Sequence, residues 1–242
     1  MQLLLAFIIL SFITLIVILL ILLSRNSRSQ KIRTICQAHN WQYQEFVNFN
    51  DTIKHAHFGL LNYSQNAIFR HVISADDSHL GLGFNVFDCL AIEPTGIHNS
   101  TALLFNLKLD EPYNELHASF SPLAQGQKQQ QDSGLTKPYF QHIRRLQKLV
   151  QLKPHYAFEC HDLYANKPAL LEQFLQQHLR PSTDNADNCQ LSTWLLAHPN
   201  LHIEISNGML LAYQPNHLLH NEAIFSAITH VAEISLALSR KN

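Results

Sequence analysis

Three residues with the chemistry of a catalytic or metal site, Cys160, His161 and Asp162, follow one another in the segment FECHDLY at 158–164. A cysteine becomes a strong nucleophile beside a base such as histidine, and the two together are also common zinc ligands. If residues 155–161 form a strand, however, Cys160 lies on its apolar face and His161 on the wetter one, so they point apart. We therefore predict that Cys160 is a small buried hydrophobic side chain, although a catalytic cysteine could still find a histidine elsewhere.

The sixteen histidines raise the question of a metal site. His55 and His57 would share one face of a strand, and His217 and His220 would lie three apart on the last helix. Zinc needs three or four ligands, and no further cysteine or histidine stands at a diagnostic spacing. His55 and His57 are thus candidate ligands without a complete set, and most histidines are expected to replace lysine and arginine on the surface. Because histidine titrates near neutral pH, pH sensing is an alternative role.

Other residues of chemical interest have ordinary structural explanations. Four carboxylates could pair in a cleft for acid–base catalysis, but solvated turns explain them as well: Asp88, Glu93, Asp110 and Glu111. Three aromatic residues are expected in the core rather than in ligand platforms: Trp41, Tyr43 and Trp194. Gly81 and Gly83 lack the third glycine and the strand-to-helix turn of a dinucleotide fingerprint. The sequence therefore predicts no catalytic residue and no cofactor.

The elements that carry these residues begin with an apolar segment. Residues Leu3–Leu23 are apolar apart from two hydroxyl residues, and as a helix they would be about 31 Å long, enough to cross a bilayer core. A cleaved signal peptide would need a basic start, a shorter apolar run and an Ala-x-Ala site, none of which is present. We predict that residues 1–24 form a transmembrane anchor.

The charges after this segment predict its orientation. Four basic residues follow directly in a predicted juxtamembrane helix over 25–40: Arg25, Arg28, Lys31 and Arg33. The positive-inside rule then places the N-terminus outside and the C-terminal domain in the cytoplasm, in a single-pass protein of the inner membrane. A patch that recruits anionic lipid is the alternative, but it usually has a denser cluster of basic residues.

Composition limits the functions of the remaining chain. Four cysteines stand far apart without a Cys-x-x-Cys, and in the cytoplasm we expect them to be reduced: Cys36, Cys89, Cys160 and Cys189. The net charge is −1 and the isoelectric point is near 7.0, which argues against a dedicated nucleic-acid-binding protein.

Residues 41–242 are predicted to form a soluble α+β domain, largely antiparallel, with packed helices. Short apolar runs separated by turn residues predict a meander over 57–63, 67–74, 83–93, 101–109 and 116–121. A glutamine-rich loop at 124–134 is a possible join between subdomains, and helices are expected over 140–150 and 170–175. Residues 201–213 read as a hairpin turning at Asn207–Gly208, followed by a helix from Pro215–Asn216.

Three segments resemble a widespread group of uncharacterised bacterial proteins with one N-terminal span and a cytoplasmic α+β domain. They are HNWQYQ at 39–44, FNVFDC at 84–89 and LSTWLLAHPNLHIEISNGMLLAY at 191–213. The resemblance extends over most of the chain after Arg33. It implies the same architecture and no particular activity.

Two functions follow from these observations. The first is a membrane-anchored interaction or accessory module with a protein partner, because an anchor joins a folded domain without recognisable chemistry. It predicts an exposed apolar patch on the domain. The second is an enzyme, or a domain that binds a small ligand or metal, whose site cannot be read from the sequence. It predicts a concave pocket with titratable side chains.

Overall fold

A computed structural model describes residues 2–48, 58–62, 67–76, 80–93, 96–122, 148–152, 160–179 and 191–239 of the chain. These residues form six helices and nine strands, which gives an α+β fold as predicted. The helices are α1 (Gln2–His39), α2 (Gly59–Asn62), α3 (Glu111–Asn114), α4 (Pro168–Leu179), α5 (Leu191–Ala197) and α6 (Asn221–Ser239). The strands are β1 (Gln42–Phe46), β2 (Ile68–Ala75), β3 (Phe84–Glu93), β4 (Gly96–Asn106), β5 (Ala118–Pro122), β6 (Val150–Gln151), β7 (His161–Ala165), β8 (His202–Ser206) and β9 (Met209–Tyr213).

All nine strands belong to one antiparallel sheet in the order β1-β2-β3-β4-β9-β8-β5-β7-β6. The predicted runs over 67–74, 83–93 and 101–109 form β2, β3 and β4, which pair in sequence, and β1 adds a strand at their edge; the run over 116–121 forms β5, which lies farther along the sheet. The hairpin β8–β9 then inserts between β4 and β5, so strands from before and after segment 124–134 share the sheet. A late part of the chain therefore completes the centre of the sheet, which makes many of its contacts long-range.

The hairpin β8–β9 turns where the sequence predicts. Asn207 has φ 49° and Gly208 has φ 67°, and two successive positive values are what a two-residue type I′ turn requires. The predicted start of the next helix at Pro215–Asn216 is wrong. Asn216 has φ 56°, a left-handed conformation that a right-handed helix excludes, and α6 begins only at Asn221.

Both faces of the sheet are covered. The C-terminal part of α1 packs with α4, α5 and α6 against one face, and the segment Phe58–Leu61 packs against the other. The alternate residues of β8 therefore enter two different cores, and none of them reaches solvent. Ile203 and Ile205 belong to the helical side, whereas His202 and Glu204 are buried on the other side of the sheet.

Two other predicted elements are different in the structure. The run over 57–63 is not a strand, because its described part contains α2 and serves as the cover of the second face. Val150, expected at the end of a helix, lies in the edge strand β6. The glutamine-rich loop at 124–134, most of the predicted helix over 140–150 and residues 155–159 lie outside the described residues.

Helix α1 has two parts with opposite surroundings. Every side chain of the apolar stretch Ile9–Leu20 is exposed, whereas Ile32 and Cys36 near its other end are buried in the core. Among the described residues, α6 is the helix that is long and apolar enough to cross a membrane, with a mean hydropathy of 1.2, and 39% of that window is buried in the fold. Since α6 packs against the sheet and α1, it has the character of a core helix.

Candidate functional site

The Cys160-His161-Asp162 segment does not form a catalytic unit. Cys160 is partly exposed in a turn before β7, so the prediction of a buried strand position is wrong. His161 begins the strand and is buried, and its Nε2 donates to the carbonyl oxygen of Leu201 at 2.9 Å. Asp162 instead accepts a hydrogen bond from Gln151 at 3.3 Å. The histidine thus hydrogen-bonds to the backbone, where it ties the start of β7 to the residue before β8, with β5 between the two strands.

The predicted metal ligands are placed differently or lie outside the description. His55 and His57 are outside the described residues, and so is Cys189. His217 and His220 lie in the loop before α6, so the helical spacing assumed for them is wrong. The described residues contain no group of three or more histidine, cysteine, aspartate or glutamate side chains that could hold a metal ion.

Two cysteines are core residues. Burial raises the pKa of the Cys36 thiol to about 11. Burial, with the charge of Asp88 as a smaller cause, raises the pKa of the Cys89 thiol to about 12. Both thiols therefore stay protonated at neutral pH, and neither has the lowered pKa of a reactive cysteine.

The four candidate carboxylates occupy different positions in the structure. Asp110 and Glu111 are exposed at the start of α3, and Glu93 ends β3. Asp88 is not in a solvated turn, because it lies inside β3 on the face covered by helices and its side chain is only 10% exposed. A carboxylate in that position needs a partner, since burying an unpaired charge is costly.

Arg28 of α1 is that partner. Its Nε and Nη2 donate to the two carboxylate oxygens of Asp88, both at 2.9 Å, in the bidentate geometry that suits a guanidinium. Its Nη1 donates to the carbonyl oxygen of Leu219 at 2.8 Å and to Asn221 at 3.2 Å. Thr101 donates to Asp88 at 2.7 Å and accepts from the Leu219 amide at 3.0 Å. We refer to these five residues as the anchor-base network.

The network joins parts of the chain that are far apart in sequence. It links α1 to β3, β4 and the loop before α6, and Arg28 stands five residues after Leu23, the end of the apolar run. At 1.5 Å per residue the guanidinium-bearing residue is about 7.5 Å beyond that run along the helix. The base of the apolar helix is therefore fixed to the domain.

His71 lies close to this network. It sits in a β-bulge of β2 with φ 52°, and its Nδ1 is 3.0 Å from the Tyr43 hydroxyl. Burial lowers the pKa of His71, the charges of Arg28 and Arg70 add to the lowering, and that of Asp88 opposes it. The neutral ring is thus favoured beside a guanidinium.

A second polar group is buried on the opposite face of the sheet. The carboxylate of Glu204 is fully buried and accepts from the Gly59 amide at 2.7 Å and from the Tyr213 hydroxyl at 3.2 Å. His202 Nε2 lies 3.3 Å from its Oε1 and 3.5 Å from Ser119 Oγ. We refer to Glu204, His202, Tyr213, Gly59 and Ser119 as the Glu204 cluster.

The Glu204 cluster is built to hold an ionised carboxylate. Burial alone would raise the pKa of Glu204, but the hydrogen bond and charge of His202, the Gly59 amide and the charge of His117 outweigh it, so the pKa is lowered. A serine–histidine–carboxylate relay uses both ring nitrogens of the histidine. Here Nε2 of His202 contacts both Glu204 and Ser119, so the geometry does not suit a relay. The cluster has a structural role, because Glu204 binds the Gly59 amide and so holds α2 against the sheet.

We expect the domain to lose stability as the pH falls below neutrality. Burial lowers the pKa of His161 from its ordinary 6.5, the Leu201 hydrogen bond opposes this, and the charge of His202 adds to the lowering. When the folded-state pKa of a histidine is lowered, the histidine contributes its full share to the free energy of unfolding above the unfolded-state pKa of 6.5. This contribution is lost as the pH falls below that value. His71 acts in the same direction, and Glu204 loses its contribution only below 4.5.

The measurement is the urea midpoint of the full chain in detergent at several values between about pH 7.5 and pH 5.5. His161→Gln keeps a donor for the Leu201 carbonyl and removes the titrating ring, so its midpoint should fall less steeply with pH. A slope identical in both proteins would contradict the assignment to His161.

One concave site is present near the anchor-base network. A cavity of about 360 Å³ opens between α5, the loop before α6 and α6 itself. Trp194, expected in the core, is buried and also forms one wall of this cavity. We refer to it as the His198 cavity, after the histidine whose ring stacks on that tryptophan.

Sequence reasoning missed the partners of two buried carboxylates. The sequence predicts Arg28 as one charge of a membrane flank, and it assigns Glu204 no role beyond its place in the hairpin over 201–213. The signal available was an acidic residue among the apolar residues of each of two strands, Asp88 in β3 and Glu204 in β8, which implies a buried partner. Arg28 is 60 residues from Asp88 and Gly59 is 145 residues from Glu204, so no local pattern identifies these two partners.

Comparison of the chain with protein-family models, with curated proteins and with solved structures found no significant match to any of them.

Proposed function

We propose that the protein is a membrane-anchored interaction or accessory module, in which the apolar part of α1 crosses the inner membrane once and holds the α+β domain against its cytoplasmic side. The observation that carries the proposal is the contrast along α1. Its apolar stretch is exposed, whereas the part that follows is bound to the domain through the hydrogen bonds of Arg28.

The exposed stretch supports a lipid environment. Eleven large apolar side chains between Phe7 and Leu20 are each at least 40% exposed, and they surround the helix on all sides. A helix that is apolar all round needs an apolar environment on every side, either a protein core or a bilayer. The described part of the domain leaves this stretch uncovered.

The anchor-base network supports a fixed position for the domain. A flexible linker would let the domain sample many orientations, whereas here the helix continues without interruption from the apolar stretch to His39. Arg28 makes four hydrogen bonds to three residues of the domain. The same surface of the domain, which includes the loop before α6, would thus always face the membrane.

The buried polar groups already have structural partners, which favours an interaction role over catalysis. The buried carboxylates Asp88 and Glu204 are both engaged with structural partners, and the pKa of Glu204 is lowered, whereas a general acid at neutral pH would need a raised one. The alternative of a ligand-binding domain is favoured by one observation, the His198 cavity. The resemblance to bacterial proteins with one N-terminal span agrees with the same architecture.

We expect the full chain to stay with the membrane pellet after alkaline carbonate extraction. Ile13→Arg combined with Ile16→Arg places two charges in the middle of the apolar stretch, at a cost of about 2.5–3.5 kcal/mol each for insertion. This variant should move to the supernatant, while the matched control with leucine at both positions should stay in the pellet. Release of the unaltered protein by carbonate would contradict the anchor.

The interaction role is tested by cross-linking the tagged full-length protein in intact membranes. We expect a stoichiometric protein partner that is recovered equally with Cys160→Ala, because Cys160 has only a peripheral position. Recovery of the protein alone, at cross-linker levels that join known neighbours in the same membranes, would contradict the interaction role and leave ligand binding as the better account.

A further inference from the structure

The His198 cavity has the size and lining of a small-molecule site. Its volume of about 360 Å³ falls in the range of natural ligand pockets, roughly 300–1,000 Å³. The described residues that line it include three histidines and no aspartate, glutamate, lysine or arginine. The remaining lining is mostly apolar and comes from α5 and the residues after it, β4, β9, the loop before α6, and α6.

One wall of the cavity is a rigid aromatic surface. The ring of His198 stacks on the indole of Trp194 with centroids 4.2 Å apart, and the His230 ring is 5.6 Å from that of His198. The indole Nε1 donates to the backbone carbonyl of His230 at 3.1 Å, which ties α5 to α6. A flat ring can pack against such a surface without moving it.

The hydrogen bonds of His198 determine what its free nitrogen can do. Its Nδ1 lies 2.8 Å from the carbonyl oxygen of Trp194, and a carbonyl only accepts, so Nδ1 carries the proton. In the neutral ring Nε2 is then an acceptor. Neither this nitrogen nor the rings of His217 and His230 hydrogen-bond to any other described residue, so they are available to a ligand.

We infer that the His198 cavity binds a small, uncharged, mostly apolar molecule with a flat ring and one O–H or N–H donor. The donor pairs with Nε2 of His198, and the ring packs against the Trp194–His198 wall. A charged ligand is disfavoured, because it would lose its hydration without meeting an opposite permanent charge.

The position of the cavity indicates a route of entry. Leu219 lines it and also accepts the hydrogen bond from Arg28 at the base of the apolar helix. If α1 spans the bilayer, the cavity lies near the polar surface of the membrane, within reach of molecules dissolved there. This route rests on the proposed anchor, whereas the ligand class depends only on the lining.

The probe for the test is N-phenyl-1-naphthylamine, a neutral molecule with an aromatic ring system and one N–H donor. The full chain carries two tryptophans, so Trp41→Phe leaves Trp194 as the reporter. Titration in nanodiscs at about pH 8, where ordinary histidines are neutral, should quench Trp194 emission saturably. The sulfonated analogue 1-anilinonaphthalene-8-sulfonate should bind at least about tenfold more weakly.

Two variants locate the binding. Ala227→Phe fills the cavity and should abolish the saturable quenching, while Ala237→Phe, on the same helix but outside the lining, should leave it unchanged. His198→Phe keeps a ring and removes the acceptor, so the preference for the probe over its N-methyl derivative should disappear. Equal quenching in the Ala227→Phe protein, or tighter binding of the sulfonate, would overturn the inference.

A phospholipid with the same naphthylamine group on its headgroup distinguishes the source. Quenching by this lipid shows entry from the bilayer, and quenching by the free probe alone shows entry from water. Both results support the site. If carbonate released the protein from the membrane and the protein still bound the probe, the proposed anchor would be contradicted and the site would stand.

Discussion

Glu204→Gln is expected to be the most destabilising single substitution in the domain. Glutamine carries no negative charge and offers one accepting oxygen, so it cannot replace both carboxylate oxygens, of which one accepts from the Gly59 amide and the other from the Tyr213 hydroxyl. Breaking a buried charged network by removing one partner costs about 3–5 kcal/mol, a large share of the 5–15 kcal/mol that stabilises an ordinary domain. Urea unfolding of the full chain in detergent should show the loss as a lower midpoint.

Glu115→Gln is the matched control. Glu115 pairs with Lys167 on the surface, and 73% of its side chain is exposed, so solvent already screens the pair. Its unfolding midpoint should stay close to that of the unaltered protein. An equal fall in both variants would show that Glu204 contributes no more than a surface carboxylate, and the buried network would lose its assigned role.

Arg28→Ala is expected to release the domain from the base of α1. It leaves the Asp88 carboxylate and the Leu219 carbonyl without their guanidinium donor, at a cost of about 2–3 kcal/mol for charged hydrogen bonds in a partly buried site. Limited proteolysis of the full chain should then cut between Arg28 and Trp41 faster than in the unaltered protein. Arg28→Lys keeps the charge but loses the bidentate guanidinium geometry, so its rate of proteolysis should lie between those of Arg28→Ala and the unaltered protein.

Arg33→Ala provides the comparison on the same helix. Arg33 meets Glu45 at 3.5 Å, with side chains that are 55% and 42% exposed, and such pairs contribute below about 1 kcal/mol. Its proteolysis rate should be unchanged. If Arg33→Ala loosened the helix as much as Arg28→Ala, the basic flank as a whole would hold the domain, and the Arg28–Asp88 pair would have no special part.

Local patterns predicted the elements that depend on local rules. The segments 83–93 and 201–213 are short apolar runs bounded by turn residues, and both form strands. Asn207–Gly208 turns the hairpin because both residues tolerate positive φ. Each of these features is determined by a few neighbouring residues, so the sequence reveals it directly.

Long-range pairing explains what the sequence did not reveal. The interpretation of 57–63 as a strand failed because its apolar residues cover the second face of the sheet, a role decided by strands far along the chain. The sequence shows Asp88 and Glu204 as acidic residues within strands, but it does not show which distant residues pair with them. The His198 cavity likewise arises only when α5 meets α6.

The most direct test of the proposed anchor and of the proposed cytoplasmic position of the domain is protease protection of the full chain carrying a C-terminal tag. We expect the tag to be digested in inside-out membrane vesicles and protected in right-side-out vesicles, because basic residues after an apolar span favour the cytoplasmic side. A tag that is protected in inside-out vesicles and digested in right-side-out vesicles would place the domain on the other side of the membrane and contradict the account.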